Sequence, residues 1–221
     1  MFNVREYIKN LIEALKESLG ERLLYVGLQG SYLRNEATEC SDLDIVVIIS
    51  ELSVNDLRIY RNTIEQLPNY EKSCGFICGK EDLLHWNPLE LCQFEHCTKD
   101  CYGKISDMLP KYTKEDVVNY IKLSLGNIYH EICHRYLHSN DADNRQMLPN
   151  AYKAVFFILQ NIYFLKTGTF YQTRKDILTH LSGSDREIMD LSKELRVSPD
   201  YNFDYALERL LTWCQKTLKE F

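Results

Sequence analysis

The sequence predicts an α+β fold in two parts: a mixed sheet with helices over residues 1–110, then an all-helical bundle over 111–221. Three observations carry this expectation. Short apolar runs bounded by glycine or polar residues, "LLYVGLQ", "LDIVVIIS" and "SCGFICG", occur only in the first half and read as strands. Helical periodicity is interleaved with them there, and from Thr113 onward it is the only periodicity present. Leu109-Pro110-Lys111 marks the change of texture and is too short to act as a loose tether.

In chain order, apolar residues at 4, 8, 11, 12 and 15 share one face of a first helix that Gly20 can end. "LLYVGLQ" is the first strand, Gly30-Ser31 a tight turn leaving it, and "LDIVVIIS" the second strand. Ser53 caps a helix running to about Gln66, before Pro68. "SCGFICG" is a third strand, "KEDLLHW" a helical turn stopped at Asn87-Pro88, and "LELCQFEHC" a fourth strand by its alternation. Helices are expected at 114–139, 146–167, 173–182, 185–196 and 201–220. Gly168 ends the second of these, and Ser184-x-x-Glu187 forms a capping box on the fourth. The sheet is expected to carry its helices on one side.

Composition narrows the function classes. A net charge of -6 without a lysine or arginine cluster disfavours sequence-independent nucleic-acid binding. The longest apolar run, Ile45 to Ile49, is far too short for a membrane span. The charged, helical N-terminus does not resemble a signal peptide, so a cytoplasmic location is expected. Eight cysteines without a C-x-x-C pair read as reduced thiols, although Cys74/Cys78 and Cys97/Cys101 beside His96 have a conceivable zinc spacing.

The chemistry concentrates in "LQGSYLRNEATECSDLDIVVII". Residues two apart in a strand point to one side, so Asp42 and Asp44 present two carboxylates together at the mouth of a buried run. Like charges so close call for a cation. Hard oxygen donors without His or Cys alongside favour magnesium, which usually completes its shell with water and phosphate oxygens. Gly30 permits close backbone approach, and Ser31 adds a hydroxyl to backbone N–H groups that can cradle an anion. Together they describe a site for a metal-bound nucleoside triphosphate.

"GSYLRNEATECSDLDIVVI" resembles the signature of the nucleotidyltransferase superfamily that includes DNA polymerase β and the aminoglycoside nucleotidyltransferases. Gly30, Ser31, Arg34, Glu36, Ala37, Ser41, Asp42 and Asp44 match it, and Asn35 stands where glycine is usual. The resemblance implies that Gly30, Ser31 and Arg34 hold the triphosphate, that Asp42 and Asp44 ligate Mg2+, and that ATP is the donor. It also implies a third carboxylate on a later strand, as metal ligand or base. Glu95, central in "LELCQFEHC", is the candidate; were the position Cys97, the site would lack its base. "LPNAYKAVFFILQNIYFLKTGTFYQTRKDILTHL" resembles the helical region of streptomycin/spectinomycin adenylyltransferases. That likeness implies that Lys175, with Arg174 and Lys153 as neighbouring candidates, reaches the triphosphate from a helical half that covers the open strand ends.

Two other motifs compete. "HEICH", His130 to His134, fits the zinc-peptidase pattern H-E-x-x-H, with His138 one turn further on. On a straight helix His138 lies roughly 12 Å from His130, too far to share one zinc, and the extended third-ligand pattern is absent. Arg174 and His180 loosely fit the R-x(4–6)-H pattern of HEPN-type ribonucleases. The expected function is therefore magnesium-dependent transfer of a nucleoside monophosphate to a small-molecule or protein hydroxyl. The alternatives are a catalytically weak nucleotide-binding or HEPN-associated regulator and, more remotely, a zinc metallopeptidase.

Overall fold

The computed structural model describes residues 2–198 and 200–221. The chain divides into two compact units, Met1–Lys111 and Tyr112–Phe221. No helix among the described residues is long and apolar enough to cross a membrane.

The first unit is an α+β unit. It runs α1 (Val4–Leu19), β1 (Leu23–Leu28), α2 (Gly30–Leu33), β2 (Leu43–Ile49), α3 (Val54–Glu65), β3 (Ser73–Gly79), α4 (Lys80–Leu84), α5 (Pro88–His96) and β4 (Lys99–Tyr102). The strand order is β3-β2-β1-β4. β1 pairs antiparallel with both β2 and β4, while β2 pairs in parallel with β3.

β2 reads as an unbroken apolar run because both of its faces are covered. Leu43, Ile45, Val47 and Ile49 pack with Leu11 and Leu15 of α1 and Ile59 and Tyr60 of α3. Val46 and Ile48 face the other way, against Tyr25, Cys78, Leu83 of α4, Phe94 of α5, and Ile105 and Met108. The helices are thus not confined to one side, as the sequence reading expected. Truncating a buried β2 residue such as Ile45 to alanine would cost about 2–5 kcal/mol. α3 starts at a reciprocal capping box, in which the Asp56 carboxylate accepts from the Ser53 backbone and hydroxyl and Ser53 caps in return. Arg22 donates to the same carboxylate at 2.6 Å, tying the approach to β1 to the start of α3.

The stretch expected as a fourth strand is helix α5. The Asn87 side chain accepts from the Leu89 backbone at 3.1 Å, and Pro88 occupies the first turn, where its missing N–H costs nothing. Trp86 Nε1 donates to Glu90 Oε2 at 2.7 Å across the same turn. Adjacent Leu91 and Cys92 are both buried, a pattern that one face of a helix allows and a half-exposed strand does not. Strand β4 follows instead at Lys99–Tyr102.

The second unit is helical throughout. It comprises α6 (Lys114–His138), α7 (Asp141–Thr167), α8 (Arg174–Leu178), α9 (Gly183–Val197) and α10 (Phe203–Glu220). Trp213, Tyr152, Phe156 and Leu210 are fully or almost fully buried in it. Two of these side chains carry polar atoms that are bonded: Tyr152 donates to the Ala206 carbonyl at 2.6 Å, and Trp213 Nε1 donates to Asp185 at 2.8 Å.

Two details differ from the sequence expectation. α7 begins at Asp141, capped by Asn140, and carries Pro149 inside it. Proline there deprives the Arg145 carbonyl of its i+4 partner, and the Tyr201 hydroxyl donates to that carbonyl at 2.6 Å instead. The capping box expected at Ser184 and Glu187 does not form. α9 starts two residues earlier, at Gly183 with Ser182 at its N-cap, and Ser184 accepts from Lys216 while Glu187 accepts from Tyr205.

Candidate active site

Antiparallel and parallel pairings together bring one end of β1 and the starts of β2, β3 and β4 to the same edge of the sheet. Leu28, the last residue of β1, stands opposite both Ile45 and Lys99, and Leu43 stands beside Ser73. The β1–β2 ladder continues one step further, where the Gln29 N–H donates to the Asp44 carbonyl at 2.9 Å. Gly30 and Ser31 follow at once and open α2, so the expected tight turn is one turn of helix.

Gly30 and Asp44 interlock. Gly30 has φ +69, and a Cβ added there would lie 1.7 Å from Asp44 Oδ2. Only glycine leaves room for that carboxylate against the backbone of the turn. Asp42 is exposed just before β2 and Asp44 is half-buried within it, with the fully buried Leu43 between them. Among the described residues none donates a hydrogen bond to the Asp42 carboxylate. The turn before it is closed by Ser41, whose Oγ accepts from the Thr38 N–H at 2.9 Å.

Arg34 Nε pairs with Glu36 Oε2 at 3.1 Å, with both side chains largely out of solvent. Asn35 adopts φ 56, the left-handed region that glycine takes freely and asparagine tolerates better than most residues. The departure from the usual glycine therefore preserves the loop.

Three residues at this end of the sheet had no part in the triphosphate site expected from the sequence. Gln29 Nε2 donates to Thr98 Oγ1 at 2.7 Å, placing a polar pair beside the β1 end. Cys74, on β3, is the register partner of Asp44 and is exposed. Hydrophobic patterning is blind to them because cross-strand register is a tertiary property.

A nucleotidyltransferase domain family model matches residues 8–122, just over half of the chain and all of the sheet edge described above. The chain belongs to the nucleotidyltransferase domain family. It is a transferase of nucleotidyl groups. No curated protein sequence matches it. Among solved structures it is similar in fold to spectinomycin adenyltransferase AAD(9) from Enterococcus faecialis, solved with ATP and spectinomycin. That similarity has a TM-score of 0.59 at 17% identity and covers 98% of this chain and 100% of that one.

In this nucleotidyltransferase the strand-based reason for choosing Glu95 does not hold. Glu95 lies near the end of α5, exposed, with its carboxylate 3.8 Å from His96. Burial pulls the His96 pKa down, and Glu95 partly opposes that shift. Cys97 is the C-cap of the same helix. Its thiol donates to Gln93 at 2.9 Å, and burial pushes its pKa up to about 12, so it stays protonated at neutral pH.

In the helical unit, Lys175 is exposed on the short α8 and, with Phe170, Tyr171 and His180, lines a shallow cavity of about 490 Å³. Arg174 lies over the Phe156 ring at 4.3 Å, and Lys153 is exposed on α7. His180 stacks on Tyr171 at 4.4 Å. His130, His134 and His138 are all exposed along α6, with successive ring centroids 5.8 and 4.9 Å apart. Among the described residues no group of three His, Cys, Asp or Glu side chains is placed to hold a metal ion.

Proposed function

We propose that this nucleotidyltransferase moves AMP from magnesium-bound ATP onto a hydroxyl of a small aminoglycoside-like acceptor. The observation that carries the reading is the Asp44 carboxylate seated against the backbone of the Gly30 turn, with Asp42 two residues before it. It supports reading a place for a cation next to a place for phosphates. ATP as donor and an aminoglycoside-like acceptor are suggested by the similar fold of the spectinomycin adenyltransferase solved with both molecules.

Two carboxylates suit magnesium better than zinc, because magnesium keeps water and phosphate oxygens in its shell. Asp42 and Asp44 would hold the ion, which when bound would neutralise charge on the triphosphate. The backbone N–H groups opening α2 and the Ser31 hydroxyl donate to the phosphate oxygens. Lys175, Arg174 and Lys153 are the candidate counter-charges from the helical unit. The acceptor oxygen forms a bond to the α-phosphorus, the bond to the bridging β-oxygen breaks, and pyrophosphate leaves. The acceptor proton passes to water or to Glu95, the carboxylate to be tested as base. Rate then comes mostly from positioning and charge neutralisation.

The test is to incubate the protein with α-labelled ATP, GTP, CTP or UTP, magnesium and a panel of aminoglycosides. Label should move from ATP to an acceptor, with pyrophosphate released only when acceptor is present. Pyrophosphate release that ignores every acceptor, or label transfer that persists in chelator, would sink this reading. A second reading, nucleotide binding without turnover, is favoured by one observation: β3 carries no carboxylate between Ser73 and Gly79.

A further inference from the structure

We infer that the outward face of α6 is a metal site shared between two copies of this chain. His130 and His134 of each copy clamp one zinc ion, and the ion joins the copies. The carboxylates of the first unit take no part in it.

α6 buries one side and leaves the other bare. Val117, Ile121, Leu125, Ile128 and Ile132 are its buried residues. At about 100° per residue, Leu123, Asn127, His130, His134 and Leu137 fall within an arc of about 80° on the opposite side. All five are exposed, Leu123 at 51% and Leu137 at 71%. Their spacing alternates between four and three residues, the pattern of a seam between two helices. Gly126, at the edge of the stripe, has nothing within 4 Å of an added Cβ. Glycine weakens a helix interior, and its use is to let another backbone come close.

The two histidines at the middle of the stripe supply the chemistry. Their rings are 5.8 Å apart between centroids and inclined by only 18°. Imidazoles one helical turn apart suit a borderline cation such as zinc, which takes nitrogen donors in a tetrahedral shell. One chain offers two donors to this four-coordinate ion. Among the described residues no third His, Cys, Asp or Glu is placed to join them, and Glu131 is paired with Arg135 at 3.1 Å. A copy related by a two-fold axis through the ion presents the same two histidines and completes the shell. The pairing also draws Leu123 and Leu137 of each copy into the seam on either side of the ion. His138 lies outside the clamp, because it ends α6 and is turned about 40° further toward the flank. A stripe of five residues falls far below the roughly 20–30 per partner of a stable interface. The apolar seam alone therefore leaves the chain monomeric, and the ion decides association.

The experiment measures the mass of the full chain by analytical ultracentrifugation, in chelator and with zinc, and counts bound metal by elemental analysis. Wild type should be monomeric in chelator and dimeric in zinc, with one ion per two chains. His130→Ala and His134→Ala should each stay monomeric at a zinc concentration that pairs the wild type. His138→Ala should pair as wild type does, and Leu137→Lys should weaken pairing at least tenfold. Cobalt in place of zinc should give the visible spectrum of tetrahedral nitrogen coordination without a thiolate band. Circular dichroism checks each fold, and His134→Gln replaces His134→Ala should the latter not fold.

Wild type that stays monomeric in zinc, or that pairs equally in chelator, would overturn the inference. So would zinc-driven pairing that survives the loss of His130 or His134, that is lost with His138, or that ignores Leu137→Lys. A thiolate band would assign the ion to cysteine and overturn it as well.

Discussion

The Asp44 carboxylate occupies the space that a side chain on Gly30 would need, so the loop after β1 and the start of β2 are built around each other. Gly30→Ala should therefore fail in two ways, through its φ of +69 and through the displaced carboxylate. Gly168 at the end of α7 has φ +73 but nothing within 4 Å of an added Cβ, which makes it the matched control. Gly168→Ala should cost about 1–2 kcal/mol, the left-handed penalty alone. Gly30→Ala should cost more in denaturant unfolding and should abolish triphosphate binding, which Gly168→Ala leaves unchanged.

Asp42→Asn and Asp44→Asn are expected to keep the fold and lose metal-dependent triphosphate binding. Removing one of two neighbouring like charges relieves repulsion in the free protein, so thermal stability should hold or rise slightly. Titration calorimetry with ATP and magnesium reads the binding. Full affinity in both variants would show that the carboxylates serve some other purpose.

The link between Arg22 and Asp56 predicts an acid-dependent stability. The Arg22 guanidinium, helped by the Ser53 hydroxyl and N–H, lowers the Asp56 pKa from 3.8 to about 2. A carboxylate with a depressed folded pKa contributes its stability above the unfolded value and loses it as pH falls through the folded one. Wild type should thus unfold at a higher temperature than Asp56→Ala at pH 7. The difference should shrink between about pH 4 and pH 2. A gap that stays constant across that window would mean that Asp56 acts through packing alone.

Tyr201 and Pro149 should be coupled although they do not bond to each other. Tyr201→Phe leaves the Arg145 carbonyl without the donor that replaces the missing proline N–H, at a cost of about 1 kcal/mol. Pro149→Ala restores a backbone donor to that carbonyl. In the Pro149→Ala background, Tyr201→Phe should cost less than half as much. Additive costs in the double-mutant cycle would disprove the substitution of one donor for the other.

Most of the fold was legible because its strands are apolar runs punctuated by glycine and its helices carry a clear 3.6-residue period. The stretch 88–96 misled because five alternating residues fit either period, and the decisive features, the Asn87 cap and Pro88 in the first turn, belong to its beginning. Glu95 was chosen on that alternation, so its premise failed with the strand. The Gly-Ser and D-x-D pairs were legible because contiguous chain places them at the end of one strand and the start of the next. The partnership of Cys74 with Asp44 was not, since it depends on register between strands separated by α3. The first turn of α7, from Asp141, lay outside the expected 146–167, and the Tyr201 contact that serves the Arg145 carbonyl freed by Pro149 is tertiary.

The strand order also settles how this sheet avoids recruiting foreign strands. Its edges are β3 and β4, and both are poor templates for further backbone pairing. β4 is only four residues long and opens with Lys99 and Asp100, so an incoming chain would meet charge before it met a ladder. β3 carries glycine at 75 and 79, the first at φ +132, and glycine weakens a strand as a pairing template. The long apolar strand β2, the segment most prone to cross-β stacking, is kept at the interior of the sheet. Colloidal stability here is a property of sheet topology: a change that lengthened β4 or straightened β3 would expose the protein to fibril-like association without touching the residues of its active site.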